Sequence, residues 1–179
     1  MLEVLREDYN LPLVKSFEIS EMSLSDLQEV LEIENLSFAT PWSKEFFLKE
    51  ILSEFSKIFV AHSSHLGLRR VLGYIYLWFV GEEMHILNLA CHPEYRRGGI
   101  AKGLLEHSLS LSFQGGVRNA FLDVRKSNHE ALSLYKKHGF KPIGIRKGYY
   151  SDTREDAVVM SLAIKSIASL KNCFSSRGQ

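Results

Sequence analysis

Apolar residues recur along this chain with two different spacings, and the change from one to the other predicts the order of its helices and strands. Apolar side chains three and four residues apart share one face of a helix, whereas short runs of β-branched and aromatic residues are typical of strands. We predict helices near 25–33, 43–51, 99–113 and 128–138, and strands near 17–20, 57–62, 71–80, 87–91, 118–125, 140–145 and 157–164. The order β-α-α-β-β-β-α-β-α-β-β predicts an α/β fold, a mixed sheet with helices on both faces.

The two ends of the chain do not follow this pattern. Residues 1–15 contain acidic side chains and no uninterrupted apolar core, unlike a secretory signal. Residues 165–179 have some amphipathic character and then become rich in serine. We therefore expect an N-terminal extension over 1–15, one domain over 16–164 and a C-terminal tail over 165–179.

Composition narrows the class of protein without revealing its chemistry. The 22 basic and 21 acidic residues give a net charge of +1, so bulk charge does not attract nucleic acid. The longest nearly apolar run, 71–80, is about half the length that spans a bilayer. The two cysteines are far apart and fit neither a disulfide framework nor a metal site. We expect a cytoplasmic protein that binds neither nucleic acid directly nor a membrane; the oligomeric state stays open.

Residues 87–105, LNLACHPEYRRGGIAKGLL, carry the strongest chemical signal. An apolar strand, with Leu87, Leu89 and Cys91 expected on one face, ends at a turn rich in Arg and Gly, and a helix begins inside that turn. The first N–H groups of a helix lack internal partners and the helix dipole adds positive charge there, so this end binds anions. Small residues let a phosphate approach the backbone. The stretch therefore predicts a ligand that carries phosphate.

The spacing of the glycines indicates which ligand. The dinucleotide pattern G-x-G-x-x-G and the P-loop pattern are both absent. The pattern Arg96-x-x-Gly99-x-Ala101 resembles the [RQ]-x-x-G-x-[GA] pyrophosphate loop of the GCN5-related N-acetyltransferases (GNAT), which use acetyl-CoA. Taken alone, this short pattern would also fit a basic surface turn that caps a helix.

A second pattern makes the resemblance to this family specific. It runs Asn128-x-x-Ala131-x-x-x-Tyr135-x-x-x-Gly139-Phe140, at the distance after the first loop that the family shows. Finer features resemble one branch, the bacterial ribosomal-protein-alanine N-acetyltransferases. They are Pro41-Trp42-Ser43, Asn88-Leu89-Ala90, Asp123-Val124-Arg125-x-Ser127-Asn128, Tyr149-Tyr150 and Arg154-Glu155-Asp156-Ala157. The resemblance covers roughly residues 16–164.

The resemblance implies both a fold and an activity. The GNAT fold is a mostly antiparallel central sheet of about six or seven strands flanked by about four helices. The implied reaction passes acetyl from acetyl-CoA, without a metal, directly to the N-terminal α-amine of a protein. The implied partner is a small-subunit ribosomal protein that begins with Ala.

The resemblance also implies roles for individual residues. Tyr135 would be the general acid that protonates the departing thiolate, and Asp123 would occupy the position of the general base. Trp42 and the pair Tyr149 and Tyr150 would lie at the mouth of the acceptor groove. The cofactor-binding residues would be Leu89, Ala90, Cys91, Arg96, Arg97, Gly98, Gly99, Ile100, Ala101, Lys102 and Asn128.

Asp123 departs from the family, which usually has Glu at this position. Asp is one methylene shorter and slightly more acidic in its unperturbed state, so it reaches less far and is a weaker base. A bridging water can extend the reach of a general base. An α-amine, moreover, is already partly neutral at pH 7. We therefore expect Asp123 to act through water or to position the amine, with His85 and Glu83 as alternative bases.

Simpler interpretations of the same residues remain open. Asp123 could form an ordinary ion pair with Arg125, and Tyr135 could be a core tyrosine. Trp42, Tyr149 and Tyr150 could be packing aromatics. At the level of function, the alternatives are a small-molecule N-acetyltransferase acting on a polyamine, amino sugar or antibiotic, and an acyl-CoA-binding module without turnover.

Overall fold

The structure is a computed structural model that describes residues 16–65 and 68–164. The predicted extension 1–15 and tail 165–179 lie outside the described residues. The helices are α1 Leu27–Ser37, α2 Lys44–Ile51, α3 Ile100–Gln114 and α4 His129–Lys137. The strands are β1 Glu18–Glu21, β2 Ser56–His65, β3 Leu68–Val80, β4 Glu83–Cys91, β5 Asn119–Arg125, β6 Lys141–Tyr150 and β7 Glu155–Ala163. The predicted order of elements is confirmed, with short 3₁₀ turns added before α1 and after β4.

One boundary differs from the sequence prediction in a way that matters for function. The strand predicted to end at Ile145 continues to Tyr150, so Tyr149 and Tyr150 end β6. Tyr150 pairs with Glu155 across a tight turn to β7, after an irregularity in the register. Gly148, at a φ of 58°, lets the strand bend at that irregularity.

The sheet contains seven strands in the order β1-β2-β3-β4-β5-β7-β6. Neighbouring strands are antiparallel except for β4 and β5, which are parallel. The β4–β5 ladder runs from Glu83 and Asn119 to Ile86 and Leu122 and ends there, although both strands continue. From that point the two strands enclose a wedge-shaped opening in the middle of the sheet.

Helices cover both faces of the sheet, as the apolar spacing predicts. On one face α1 and α2 pack on β2 and β3, and their buried residues include Val30, Ile33, Phe47, Val60 and Tyr74. On the other face α3 and α4 pack on the centre of the sheet, with Leu104, Leu105, Leu122, Val124 and Tyr135. The sheet thus separates two cores, and the wedge lies between them.

A β-bulge lies at the start of the wedge. Tyr76 is opposite Asn88 and Leu77 is opposite Ile86, so Leu87 is the extra residue. The prediction that Leu87 shares a face with Leu89 and Cys91 is wrong. Leu87 packs on the α1 side and the other two pack on the α3 side, because an extra residue interrupts the two-residue alternation of a strand.

Glycine allows β3 to approach the end of β4. A Cβ at Gly73 would stand 2.7 Å from the carbonyl oxygen of Ala90 and 3.0 Å from the Ile100 side chain. A close approach of this kind needs a residue without a side chain. Gly73 thus helps to hold the last residues of β4 against the start of α3.

Among residues 16–65 and 68–164, we find no helix with the length and apolar character needed to cross a membrane.

Candidate active site

A cavity of about 810 Å³ lies along the end of β4, where β4 is no longer paired with β5, and continues to the N-termini of α3 and α4. The predicted site residues in its wall are Leu89, Ala90, Cys91, Arg96, Arg97, Gly99, Ile100, Ala101, Lys102, Asn128 and Tyr135. Gly98 is absent from the described lining, and its N–H donates to the carbonyl of Tyr95 at 3.4 Å. The sequence prediction missed other lining residues, namely Ser37, Phe38, Tyr95, His129, Glu130, Ala131, Ser133, Leu134 and Lys137. A single cavity therefore unites two motifs that are about thirty residues apart in sequence.

The N-terminus of α3 forms one end of the cavity and has the features of an anion site. Arg97 and Gly99 adopt left-handed backbone angles, with φ of 67° and 79°, and these turn the chain into the helix. The helical hydrogen bonds begin with the Gly103 N–H to the Gly99 carbonyl, 2.9 Å. The preceding N–H groups of the first turn therefore lack partners within the helix and are available to a ligand. Arg96 and Lys102 add positive charge in the same wall.

Asn128 begins α4 at the opposite wall. Its Oδ1 accepts a hydrogen bond from the Ala131 N–H at 3.0 Å, as in a helix N-cap. The sequence predicts this helix start, and the structure confirms it. Because the oxygen of the amide is already used, the NH₂ group is the part of the side chain that can donate to a ligand.

Tyr135 and Cys91 meet deep in the cavity. Tyr135 is only 6% exposed, and its ring packs on Phe140 with the centroids 5.6 Å apart. Burial raises the pKa of the Tyr135 phenol, and the nearby Tyr150 and Cys91 raise it further. Burial also raises the pKa of the Cys91 thiol to about 11, against the opposing effects of the Ala101 N–H and Arg96. Both groups therefore keep their protons at neutral pH.

Asp123 faces away from Tyr135, toward the α1 side of the sheet. On β5 its neighbours Leu122 and Val124 point into the α3 core, so Asp123 points to the opposite face. Its Oδ1 is shielded from solvent and lies 3.4 Å from Arg146 Nε, an ion pair without the alignment of a hydrogen bond. The side chain as a whole is 22% exposed.

The alternative in which Asp123 pairs with Arg125 is wrong. Arg125 instead donates to the Asp152 carboxylate at 2.7 Å and to the Thr153 hydroxyl at 2.9 Å. Both acceptors belong to the turn between β6 and β7, which brings two oxygens to the Arg125 guanidinium. The register of β5, β7 and β6 thus gives Asp123 a different partner, Arg146.

The end of β6 packs over β5 and closes this face. The Arg125 guanidinium carbon lies 3.9 Å from the centroid of the Tyr150 ring, a cation–π contact. The Tyr150 hydroxyl donates to the backbone carbonyl of Asp123 at 3.5 Å. Burial raises the pKa of Tyr150 to about 12, with Arg125 opposing the rise. Tyr149, by contrast, is 49% exposed, and Arg146 lies over its ring.

Trp42 lies in the segment between α1 and α2, on the α1 face of the sheet. Its ring packs on Phe46, with centroids 4.5 Å apart, and on Tyr76, with centroids 5.2 Å apart. Trp42 is partly buried and does not belong to the described cavity wall. Packing in this aromatic cluster therefore buries part of the Trp42 side chain, and the rest is exposed to solvent.

His85 and Glu83 provide further titratable groups on the face of Asp123. His85 Nε2 is 3.2 Å from Glu83 Oε2. The imidazole stacks on Phe121 with centroids 5.4 Å apart and planes tilted by 22°. Phe121 precedes Asp123 by two residues on β5, so the imidazole and the carboxylate share one face of adjacent strands.

Chemically, this arrangement can bring two molecules together from opposite faces of the sheet. The α3 side offers backbone N–H groups and cations for an anionic ligand, with an O–H donor, Tyr135, beside it. The α1 side offers a carboxylate, Asp123, and an imidazole, His85. Among the described residues, no group of three His, Cys, Asp or Glu side chains could hold a metal ion.

No sequence pattern indicates Arg146 as the partner of Asp123. Arg146 is one of three basic residues along an exposed edge strand, and only its position across β7 distinguishes it. Similarly, Glu34 resembles any other acidic residue of an amphipathic helix, yet it is buried beside the wedge. The pair Asp123–Arg146 and the contacts of Glu34 with Tyr74 and Asn88 each join residues more than twenty positions apart, which local patterns do not reveal.

Known proteins resemble this chain over most of its length. A family model described as "Acetyltransferase (GNAT) family" matches residues 27–140. A Bacillus subtilis protein, named provisionally as a ribosomal protein bS18-alanine N-acetyltransferase, is 38% identical over 148 residues, covering 82% of this chain and 95% of the relative. The ribosomal protein bS18-alanine N-acetyltransferase of Escherichia coli is 32% identical over 148 residues, 82% of this chain and 97% of the relative.

Solved structures share the fold. The crystal structure of the Escherichia coli ribosomal-protein-S18-alanine N-acetyltransferase superposes with a TM-score of 0.75 at 33% identity, covering 84% of this chain and 96% of that chain. The PaiA N-acetyltransferase of Thermoplasma acidophilum, solved in complex with coenzyme A, gives a TM-score of 0.66 at 23% identity. The superposition covers 83% of this chain and 99% of that chain. The second likeness concerns the fold alone.

We predict that Tyr135 makes folding sensitive to alkaline pH. The unfolded chain releases a phenolic proton near pH 10, whereas burial keeps that proton on Tyr135 in the folded protein. The free energy of unfolding of the wild type should therefore fall as the pH rises above about 10. The free energy of unfolding of Tyr135→Phe should fall less steeply, by up to ~1.4 kcal/mol per pH unit. Urea unfolding of both proteins at pH 8, 10 and 11 measures the difference; equal slopes would contradict the assignment.

Proposed function

This chain belongs to the acetyltransferase (GNAT) family, and from that premise we propose that it transfers acetyl from acetyl-CoA to the N-terminal α-amine of a protein. The acceptor we propose is a small-subunit ribosomal protein that begins with Ala. The observation that carries this proposal is the 38% and 32% identity, over nearly the whole length of the relatives, to proteins named for acetylating ribosomal protein bS18 at alanine. Because the proposed acceptor is ribosomal, we propose that the enzyme works in the cytoplasm. We also propose that residues 16–164 form the transferase domain.

The residues of the α3 side fit a pyrophosphate-bearing cosubstrate. The unpartnered N–H groups of the first turn of α3 would hold the pyrophosphate, assisted by Arg96 and Lys102. Glycine at position 99 leaves the backbone accessible, since no atom lies within 4 Å of a Cβ built there. The free NH₂ of Asn128 would donate to the cofactor arm. Acetyl-CoA supplies the reactive acetyl thioester, and the backbone of Leu89 to Cys91 would hold its pantetheine.

The β-bulge at Leu87 supplies a backbone donor for the transfer step. A bulged residue leaves the strand ladder, so its N–H can point toward a ligand in the wedge. A preorganised N–H aimed at the oxygen where negative charge develops is one of the larger contributions to such reactions. We assign this role to the N–H groups beside the bulge.

Asp123 and His85 are positioned to receive the amine proton. An α-amine titrates near 7.7–8.0, so a carboxylate acting through a water needs only to remove a proton that is already labile. The short Asp123 side chain pairs with Arg146, with Nε 3.4 Å from Oδ1. His85, oriented by Glu83, would accept the proton when the Asp123 carboxylate does not reach the amine directly.

Tyr135 would act on the sulfur that leaves. Because burial keeps its phenol protonated, the O–H can donate a hydrogen bond to the departing sulfur and pass its proton there as the carbon–sulfur bond breaks. The proton lost by the amine leaves through Asp123 or His85 to solvent, from which Tyr135 is reprotonated. Cys91, protonated and set beside Tyr135, takes no part as a nucleophile.

On the acceptor side, we propose that the peptide enters a cleft between two groups of aromatic residues. Trp42 and the rest of the 38–43 segment would form one wall, and Tyr149 with Tyr150 at the end of β6 would form the other. An extended peptide entering here would place its first amine near Asp123. Proximity of this kind supplies a large part of the rate in reactions between two bound molecules.

We predict that the protein acetylates α-amines in preference to other amines. Incubation with acetyl-CoA and peptides of varied N-terminal residue, together with internal lysines and a polyamine, followed by mass spectrometry, should place acetyl on the α-amine of peptides that begin with Ala or Ser. Peptides with a blocked N-terminus are the matched control and should stay unmodified. Acetyl on the polyamine alone would move the function to small-molecule transfer. Cofactor binding without any transfer would favour a non-catalytic module.

We further predict that Asp123→Asn lowers kcat/KM by ~100-fold near pH 6.5 and by less near pH 9, where the amine is already neutral. Adding His85→Gln should deepen the loss at both pH values if the two groups share the proton. Asp26→Asn, at the start of α1, is a control for the loss of a buried carboxylate away from the wedge. A pH profile of Asp123→Asn identical to the wild-type profile would remove Asp123 from the mechanism.

A further inference from the structure

Glu34 is a buried carboxylate at the end of α1 that the proposed transfer steps do not use. The residue is 1% exposed. Its Oε1 accepts a hydrogen bond from the Trp42 backbone N–H at 2.9 Å, and its Oε2 accepts one from the Tyr74 hydroxyl. The Asn88 side-chain amide lies 3.4 Å from Oε1 and 3.3 Å from Oε2 and donates to the carboxylate. Burial raises the pKa of Glu34, while the bonds from Tyr74 and Trp42 oppose the rise.

These donors come from three separate parts of the acceptor side. Trp42 belongs to the segment between α1 and α2 that forms one wall of the cleft. Tyr74 lies in the middle of β3. Asn88 follows the bulge directly, where β4 parts from β5. One carboxylate therefore fixes the acceptor wall, the neighbouring strand and the edge of the wedge relative to one another.

Glu50, at the end of α2, offers an internal comparison. It is 7% exposed and accepts hydrogen bonds from the hydroxyls of Ser56 and Tyr76 and from Trp78 Nε1, the last at 3.0 Å. These donors lie on β2 and β3, so none belongs to β4 or to the 38–43 segment. Glu34 and Glu50 are thus both buried and both accept several hydrogen bonds, but of the two only Glu34 accepts hydrogen bonds directly from the acceptor wall and from β4.

We propose that Glu34 is a positioning residue for acetyl transfer. It holds the acceptor wall and the β4 bulge at the separation that lets the α-amine meet the thioester carbonyl. Stability alone does not explain a carboxylate here, because well-packed apolar side chains often replace buried charges without loss. Small misplacements of reacting groups, in contrast, reduce rates strongly. This inference rests on the proposed function.

The test compares Glu34→Gln with the matched Glu50→Gln. In each case the side-chain volume is kept, while an NH₂ group replaces one oxygen among groups that all donate hydrogen bonds. We expect Glu34→Gln to lower kcat with an Ala-starting peptide by ~10- to 100-fold, with acetyl-CoA affinity within ~2-fold of wild type by calorimetry. Glu50→Gln should keep kcat within ~2-fold. Tyr74→Phe, which removes one donor only, should show a smaller loss in kcat than Glu34→Gln and provides the test if Glu34→Gln does not fold.

The outcomes separate this inference from the proposed function. Equal losses of kcat in Glu34→Gln and Glu50→Gln, in step with their losses of stability, would overturn the positioning role. Unchanged kcat in Tyr74→Phe and in Glu34→Gln would also overturn it. If the wild type acetylates another amine instead, the proposed acceptor is wrong and the variants are measured on that amine. A wild type inactive on every amine overturns both.

Discussion

The end of the β4–β5 ladder at Ile86 and Leu122 is the constraint on which the rest of the site depends. Parallel strands that stayed paired would form a continuous sheet and keep the two faces apart. Because the strands continue after the pairing ends, the sheet has an opening lined by unpaired backbone of β4. The bulge at Leu87 begins that opening, and the N-terminus of α3 lies at its far end. A donor and an acceptor can therefore meet within the sheet while each is held by a different core.

The charges of the site follow from this arrangement. The α3 side has backbone N–H groups, Arg96 and Lys102, which suit an anionic donor. The α1 side has the Asp123 carboxylate and the His85 imidazole, which suit an amine. Tyr135 lies on the α3 side with its proton retained by burial, so the proposed general acid and the proposed acceptors of the amine proton lie on opposite faces of the sheet. Hydrogen bonds to the Glu34 carboxylate then join the acceptor wall to the opening between β4 and β5.

Sequence patterns predicted most of the fold and much of the donor side. Helix starts at Ser43 and Asn128, and the turn into α3, depend on local residues, and the structure confirms each of them. Contacts between distant strands were not predictable in this way. The extra residue at Leu87 reverses a face that alternation alone assigns wrongly, and the pairing of Asp123 with Arg146 depends on β7 lying between their strands. Glu34 is unremarkable in sequence because only tertiary packing brings its donors together.

The most direct test of this account is a crystal structure with a bisubstrate analogue, in which the coenzyme A sulfur is joined through an acetyl group to the α-amine of an Ala-starting peptide. We expect the pantetheine arm between β4 and β5 beyond Ile86 and Leu122, with the pyrophosphate at the first turn of α3. We expect the peptide nitrogen on the opposite face, beside Asp123, with the chain leaving between Trp42 and Tyr149. A peptide that occupied the α3 face, or a coenzyme bound outside the opening, would contradict it.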